Sequence, residues 1–202
     1  MQDITGYIRF IEEMGLLKDV TRTAYTCSGK QETTAEHSWR LAVFAGIMLQ
    51  EYPQLDACKV LMMALFHDVG EIYEGDQSAA LQPDGQQKFQ AEERAMLKVT
   101  GLLEEPLRSR LLEVWREYEE GTTAEARLVK ALDKAETIIQ HNQGKNPAEF
   151  DYEFNLGYGR KYFENDELLA ALRERLDADT AGKIKGVPRP ENHAAGTDGR
   201  KE

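Results

Sequence analysis

The chain is poor in the residues that mark several protein classes. Its two cysteines, Cys27 and Cys58, cannot build a disulfide framework, so a reducing cytoplasm is the expected compartment. No apolar run approaches the roughly 18–20 residues that a membrane-spanning helix needs. The longest runs, 41–49 and 60–66, read as core helices. The segment from Met1 is polar and amphipathic, without the basic-then-apolar order of a signal peptide. Positive charge is also scarce, with 25 Lys and Arg against 36 Asp and Glu and a formal net charge of -11. That balance argues against a nucleic-acid polymer as partner, because phosphate backbones favour basic surfaces. It leaves room for a small anionic substrate, since a dication and one or two arginines make a locally positive pocket on an acidic protein.

What is present is helical patterning. A chain of 202 residues suits one domain with a sizeable core. Ile4, Tyr7, Ile8, Ile11 and Met14 recur at helical spacing, with Asp3 available as N-cap. Residues 18–31 read as a polar loop. Thr33 and Glu36, three apart, form a capping box that opens a helix to about Gln50. Pro53 stops it, and Asp56 caps the apolar helix ending near Phe66. Gly70, Gly75 and the run Gln82-Pro83-Asp84-Gly85 punctuate a connection. Helices over about 86–99, 106–119 and 123–140 follow, with Pro106 suited to a first turn. In the last of these, Leu128, Leu132, Ala135 and Ile139 mark the buried stripe. A final helix is expected from Asp166 to about Leu176. Neither a β pattern nor an internal repeat is legible, so the expected fold is all-α. Residues 1–181 make the domain, and 182–202, rich in Gly, Pro and charge, make a disordered tail.

Chemistry concentrates in Phe66-His67-Asp68-Val69-Gly70-Glu71-Ile72-Tyr73-Glu74-Gly75-Asp76. Imidazole and carboxylate are both good ligands for divalent first-row metals. Neighbouring helical side chains diverge by about 100°, yet can converge on an ion beside the helix end. The same string also reads as a helix C-terminus with a favourable His and a solvated acidic loop. His37 sits in the first turn of the helix opened by Thr33, where a lone His is ordinarily a satisfied residue. Asp133 lies mid-helix on the edge of a buried stripe and requires a partner there, because an unpaired buried charge costs several kcal/mol. Lys134 or Lys130 could supply an ordinary salt bridge, and a metal the functional alternative. His141 reads as a solvated helix end or a pocket residue, His193 as incidental. Trp39 and Trp115 read as core or interface anchors. Phe150, Tyr152, Phe154, Tyr158, Tyr162 and Phe163 read as core packing, a pocket cap or an interface.

The order His, His-Asp, Asp along an all-helical chain resembles the HD-domain metal-dependent phosphohydrolases. Within them it is most similar to the small HD proteins that include the 5′-deoxynucleotidases. The residues that carry the likeness are Glu36-His37-Ser38, the spaced run His67-Asp68, Glu71, Gly75-Asp76, and Leu132-Asp133-Lys134; they cover roughly 8–140. His-Asp alone is a weak motif, whereas the spaced combination is specific. The resemblance implies an HD-domain helical bundle in which His37, His67, Asp68 and Asp133 hold one divalent ion per subunit. Glu71 would orient or deprotonate the attacking water, and Asp76 would contact the sugar or position the substrate. Arg22, fifteen residues before His37, stands where deoxynucleotidases carry a phosphate-binding Arg followed by Trp. Here Thr23 follows, and Arg22-Thr23-Ala24-Tyr25 resembles other small HD proteins better, so the sugar is left open.

These residues imply a metal-dependent 5′-nucleotidase that releases phosphate from (deoxy)nucleoside 5′-monophosphates by attack of metal-activated water. Nitrogen and oxygen ligands without thiolate suit Mn²⁺, Co²⁺ or Fe²⁺ in preference to a structural zinc, and the resemblance implies Co²⁺ or Mn²⁺, with Fe²⁺ or Zn²⁺ compatible. The resemblance also implies a homodimer. Two alternatives stay open at this point. One is an HD hydrolase of an alarmone, a nucleoside triphosphate or a cyclic nucleotide; Ile72, where alarmone hydrolases carry a second acid, counts against the first of these. The other is a non-catalytic metal-binding scaffold, against which Glu71 argues.

Overall fold

Local capping defines most element starts. In the computed structural model, which describes residues 4–76 and 84–186, the Thr33 hydroxyl accepts from the Glu36 amide. The Glu36 carboxylate in turn accepts from Thr33 N, closing the expected capping box of α2 (Thr34–Met48). Asp56 caps α3 (Ala57–Phe66), Asp84 caps α4 (Gly85–Thr100), Thr123 caps α6 (Ala124–Gln143) and Asp166 caps α8 (Glu167–Ile184). Each side chain satisfies amides that the first helical turn leaves without partners. The remaining helices are α1 (Ile4–Met14), α5 (Leu107–Glu120) and the short α7 (Glu153–Gly157). Pro106 occupies the N-cap position just ahead of α5.

The core gathers around α6, which packs against α2, α3, α5 and α8. Val129, Ala131, Leu132, Ala135 and Ile138 of α6 are fully buried against Leu41 and Ala45 of α2 and Val60, Met63 and Ala64 of α3. Side chains of this size contribute roughly 1.5–3 kcal/mol each when fully buried. A second cluster joins Phe10, Val69, Ile72, Met96, Val99 and Trp115. The 3-10 turn Val69–Ile72 thus ties the end of α3 to α4. Gly70 makes that approach possible: a Cβ there would lie 2.6 Å from Glu92 Cβ and 2.9 Å from Glu92 Cα.

Helices dominate as expected, but four expectations are corrected. Part of the polar stretch 18–31 is an antiparallel hairpin of β1 (Thr21–Tyr25) and β2 (Gln31–Thr33). Pairing of Thr21 with Thr33 and Tyr25 with Gln31 sets three residues of β1 opposite one of β2. The strands hide from a periodicity reading because they are short, polar and bulged. Helix α8 runs past Leu176 to Ile184, carried by buried Arg173 and Thr180 as well as by Leu176. The tail therefore cannot begin at 182; its remainder, like Asp3, Gln82 and Pro83, lies outside the described residues. Of the two tryptophans read as core or interface anchors, Trp115 lies in the core and Trp39 is 65% exposed, so neither departs from that reading. His141 is buried, not solvated.

Candidate metal centre

Three helices and one turn deliver the site. The buried stripe of α2 runs His37, Leu41, Ala45, so His37 heads the row that packs into the core. His67 is the C-cap of α3, and Asp68 precedes the Val69–Ile72 turn. Asp133 lies mid-way along α6, and Arg22 stands on β1. The fold brings these residues together around the two imidazoles. His37 Nε2 lies 3.3 Å from His67 Nε2 and 3.3 Å from Asp133 Oδ1. His67 Nε2 lies 3.0 Å from Asp68 Oδ2 and 4.0 Å from Asp133 Oδ1.

The outer ring nitrogens determine what this cluster can bind. His67 Nδ1 is 3.1 Å from the Ala64 carbonyl, and His37 Nδ1 is 2.5 Å from Glu136 Oε2. A carbonyl and a carboxylate can only accept, so each Nδ1 carries a proton, and a proton or a metal ion is left to occupy the inward-facing Nε2. Two lone pairs and carboxylate oxygens facing one another repel unless a cation lies between them. Around an ion bonded at roughly 2.1 Å, adjacent ligand atoms sit roughly 3 Å apart. The spacing of His37, His67 and Asp133 fits that requirement, all three ligand atoms lying within 4.8 Å of one another. Asp68 flanks them on the His67 side, 3.8 Å from His37 Nε2, and its Oδ2 also accepts from Arg22 Nη1 at 3.2 Å.

Electrostatics favour the same occupant. Burial and Arg22 oppose charge on His37, but Glu136 and Asp133 overcome them and push its pKa up to about 10. Proton and dication compete for one lone pair, so metal binding releases the proton. Burial would raise both aspartates; His67 and Arg22 nevertheless hold Asp68, and Lys134 and His37 hold Asp133, below the ordinary carboxylate range. Lys134 Nζ and the Tyr118 hydroxyl both donate to Asp133 Oδ2, at 2.8 and 3.1 Å. The salt-bridge partner and the inward-facing Oδ1 are thus two ends of one carboxylate.

Glu71 is buried beside this cluster, its Oε2 accepting from Thr34 Oγ1 at 3.2 Å and its Oε1 3.7 Å from Lys88 Nζ. Burial, then Asp68 and Asp76, push its pKa up to about 9. Arg22 reaches Thr137 Oγ1 at 3.3 Å and Glu32 at 3.5 Å. Asp76, Lys88, His141, Phe154 and Tyr158 line the adjoining pocket. The aromatic stretch is thus divided, since Phe163 packs in the core while Phe154 and Tyr158 face the pocket. Lys88, Thr34 and Glu136 carried no motif. Glu136 alone offered a signal, one helical turn beyond Asp133 and on the same buried side.

Known proteins share this arrangement of elements. The family model described as HD domain matches residues 14–173. The chain is 37% identical over 140 residues to the 5′-deoxynucleotidase HDDC2 of Mus musculus, covering 68% of this chain and 69% of the mouse protein. Its likeness to the Bos taurus 5′-deoxynucleotidase HDDC2 is 32% over 186 residues, 89% of this chain and 88% of that one. The crystal structure of a protein named a predicted metal-dependent phosphohydrolase, from Magnetospirillum magnetotacticum, superposes with a TM-score of 0.75 at 26% identity. That superposition covers 92% of this chain and 97% of the other. A family match that starts within α1 and ends within α8 takes in every element that holds the His, His-Asp and Asp side chains, and the chain belongs to the HD-domain family.

Proposed function

We propose that the chain is a metal-dependent phosphohydrolase that removes phosphate from (deoxy)nucleoside 5′-monophosphates. The observation that carries this reading is the convergence of imidazole and carboxylate ligand atoms beside a buried carboxylate, Glu71, in a pocket that Arg22, Lys88 and Lys134 help to line. The names of the mouse and bovine relatives agree with it. His37, His67, Asp68 and Asp133 would hold one divalent ion. Bound there, such an ion neutralises phosphoryl charge and acidifies water. With nitrogen and oxygen donors, Co²⁺ or Mn²⁺ suits the set, and Fe²⁺ or Zn²⁺ is compatible.

The chain's own residues do the rest. Glu71 takes the proton from the attacking water as the water oxygen bonds to phosphorus; the bond from phosphorus to O5′ breaks, O5′ takes up a proton from solvent while Glu71 returns its own, and nucleoside and phosphate leave. Thr34 fixes Oε2 of that carboxylate, so the group is aimed before substrate arrives. The Arg22 guanidinium, held on Asp68 and Thr137, presents a planar fork for phosphate oxygens. Lys88 adds a further cation to the same pocket. Asp76 faces the sugar, and Phe154 and Tyr158 offer aromatic surface to the base. Phosphoryl transfer needs little beyond such positioning and charge. A panel of nucleoside 5′-monophosphates assayed with Co²⁺ or Mn²⁺ should release phosphate, and EDTA should stop it. Silence across the whole panel would remove the nucleotidase assignment.

The same reading places the protein in the cytoplasm as a homodimer. Among the described residues no helix is long and apolar enough to cross a membrane. The outer face of α2 exposes Trp39, Val43 and Ile47, and α1 exposes Ile4, Ile8 and Ile11. Apolar stripes at helical spacing that none of the described residues covers suit a twofold contact. Trp39→Glu combined with Ile47→Lys should therefore halve the mass measured by sedimentation while leaving the circular dichroism spectrum unchanged. A wild-type protein that sediments as a monomer would refute the dimer.

A further inference from the structure

His37 and His67 are held by different partners, and the difference has a consequence for the site. His67 Nδ1 donates to a backbone carbonyl, Ala64 O, which no side-chain substitution removes. His37 Nδ1 faces a side chain, Glu136, whose second oxygen accepts from Arg40 Nε at 2.5 Å. Arg40 Nη2 also donates to the Glu136 backbone carbonyl at 3.3 Å. His37 is fully buried and Glu136 is 1% exposed, so water does not compete for these bonds.

We infer that Glu136 is a positioning residue that fixes His37 in the tautomer a metal ligand needs, and that Arg40 sets the orientation in which Glu136 does so. The inference rests on the metal-centre reading above. An imidazole can offer Nε2 to an ion only while its remaining proton sits on Nδ1, and a carboxylate at Nδ1 enforces that state because it cannot donate. Glu136→Gln keeps the size of the side chain and changes the logic. A guanidinium has donors and no acceptor, so Arg40 keeps the amide oxygen on its own side. The amide NH₂ then faces His37 Nδ1, which must accept, and the ring proton moves to Nε2, the nitrogen that would face the ion. Removing Arg40 as well frees the amide to rotate and return its oxygen to His37.

This gives an ordering that loss of packing would not produce. Mn²⁺ titrated into EDTA-treated, dialysed protein should bind E136Q about 10- to 100-fold more weakly than wild type, the range found when such partners of ligating histidines are lost. R40M keeps a carboxylate, which offers His37 Nδ1 an acceptor with either oxygen, so it should lose less affinity than E136Q, and R40M/E136Q should bind Mn²⁺ more tightly than E136Q alone. Nitrogen-15 spectra of the metal-free imidazoles, followed up to the alkaline pH at which His37 is neutral, should show its remaining proton on Nδ1 in wild type and on Nε2 in E136Q, while the neutral His67 ring stays unchanged. His67 also reports on the fold, and E136Q spectra that lose its signals would make Glu136 a folding residue and overturn the inference. So would an unchanged His37 tautomer, or a double variant no tighter than E136Q. If wild type itself fails to bind Mn²⁺, the metal-centre reading falls, and the tautomer spectra still decide the role of Glu136.

Discussion

Replacing His67 by alanine is expected to lower phosphate release by at least about a thousandfold, equivalent to about 4 kcal/mol of transition-state stabilisation. A ligating ion contributes several kcal/mol through charge alone, and His67 Nε2 lies within 3.0–4.0 Å of three other candidate ligand side chains, those of His37, Asp68 and Asp133. Deleting that imidazole removes one of the two nitrogen donors and leaves only His37 Nε2 and the two aspartates around the ion. The fold should survive, because His67 caps α3 through its backbone amide to Met63 O. Its ring makes a hydrogen bond to the Ala64 carbonyl at 3.1 Å and an edge contact to Tyr118 at 5.3 Å, besides its contacts to the other candidate ligands. Two measurements separate loss of metal from loss of fold. Wild type should gain thermal stability with added Mn²⁺, about 2.7 kcal/mol at a hundredfold excess over Kd, and the variant should gain none. Its metal-free melting temperature should stay within a few degrees of wild type. Activity persisting in the alanine variant would refute the metal site itself, and so would an Mn²⁺ response of wild-type size.

How much of this could be read from the sequence depended on whether the causes were local. The capping box of Thr33 and Glu36 is complete within four residues, so the start of α2 was legible, and with it the stripe that His37 heads. The all-α class followed from such local signals. The hairpin had none: only Ala24 of β1 is buried, and the register slips between Thr21 and Tyr25. What holds those strands in place is tertiary. Gln140 of α6 donates to the Tyr25 carbonyl, and Arg22 reaches across to Thr137. The exposure of Trp39 is likewise a matter of which side of α2 meets α3 and α6, since a helix with apolar residues on both sides does not announce its inner one. In the site, His67 and Asp68 stood out as a dipeptide with spaced acids. Lys88 and Thr34 reach Glu71 from separate helices, so no spacing could reveal them. Asp133 was visible as a charge on a buried edge, and its two oxygens leave room for both explanations offered for it. One oxygen meets Lys134 and the other faces His37.

Glu71→Gln should separate activity from stability in opposite directions. As general base, Glu71 is expected to contribute about a hundredfold to ten-thousandfold in rate. Glutamine retains the volume and an oxygen for Thr34 Oγ1, so kcat should fall by that factor with little change in Mn²⁺ affinity. Stability should rise. In the metal-free protein, burial with Asp68 and Asp76 raises the Glu71 pKa from 4.5 to about 9. A carboxyl whose pKa is higher folded than unfolded binds more protons in the native state, so its contribution to stability falls as pH climbs from about 4.5 toward 9. At neutral pH the unfolded chain carries the free carboxylate, and folding must protonate or desolvate it. Glutamine meets no such demand, and the metal-free variant should be more stable on the order of 2 kcal/mol near pH 7, the advantage vanishing below pH 4. That gain corresponds to a rise of several degrees in melting temperature for a chain of this size. A bound dication stabilises the carboxylate and lowers its pKa, so the gain should shrink when Mn²⁺ is added. The pH–rate profile of wild type should rise with pH as Glu71 loses its proton, and the residual activity of the glutamine variant should lack that limb. A variant with wild-type kcat would remove Glu71 from the chemistry. One that lost stability at pH 7 and kept it at pH 4 would reverse the electrostatic account of its burial. Both outcomes together would leave the pocket without a base, whereas the expected pair assigns Glu71 a function that the fold sustains at a cost in stability.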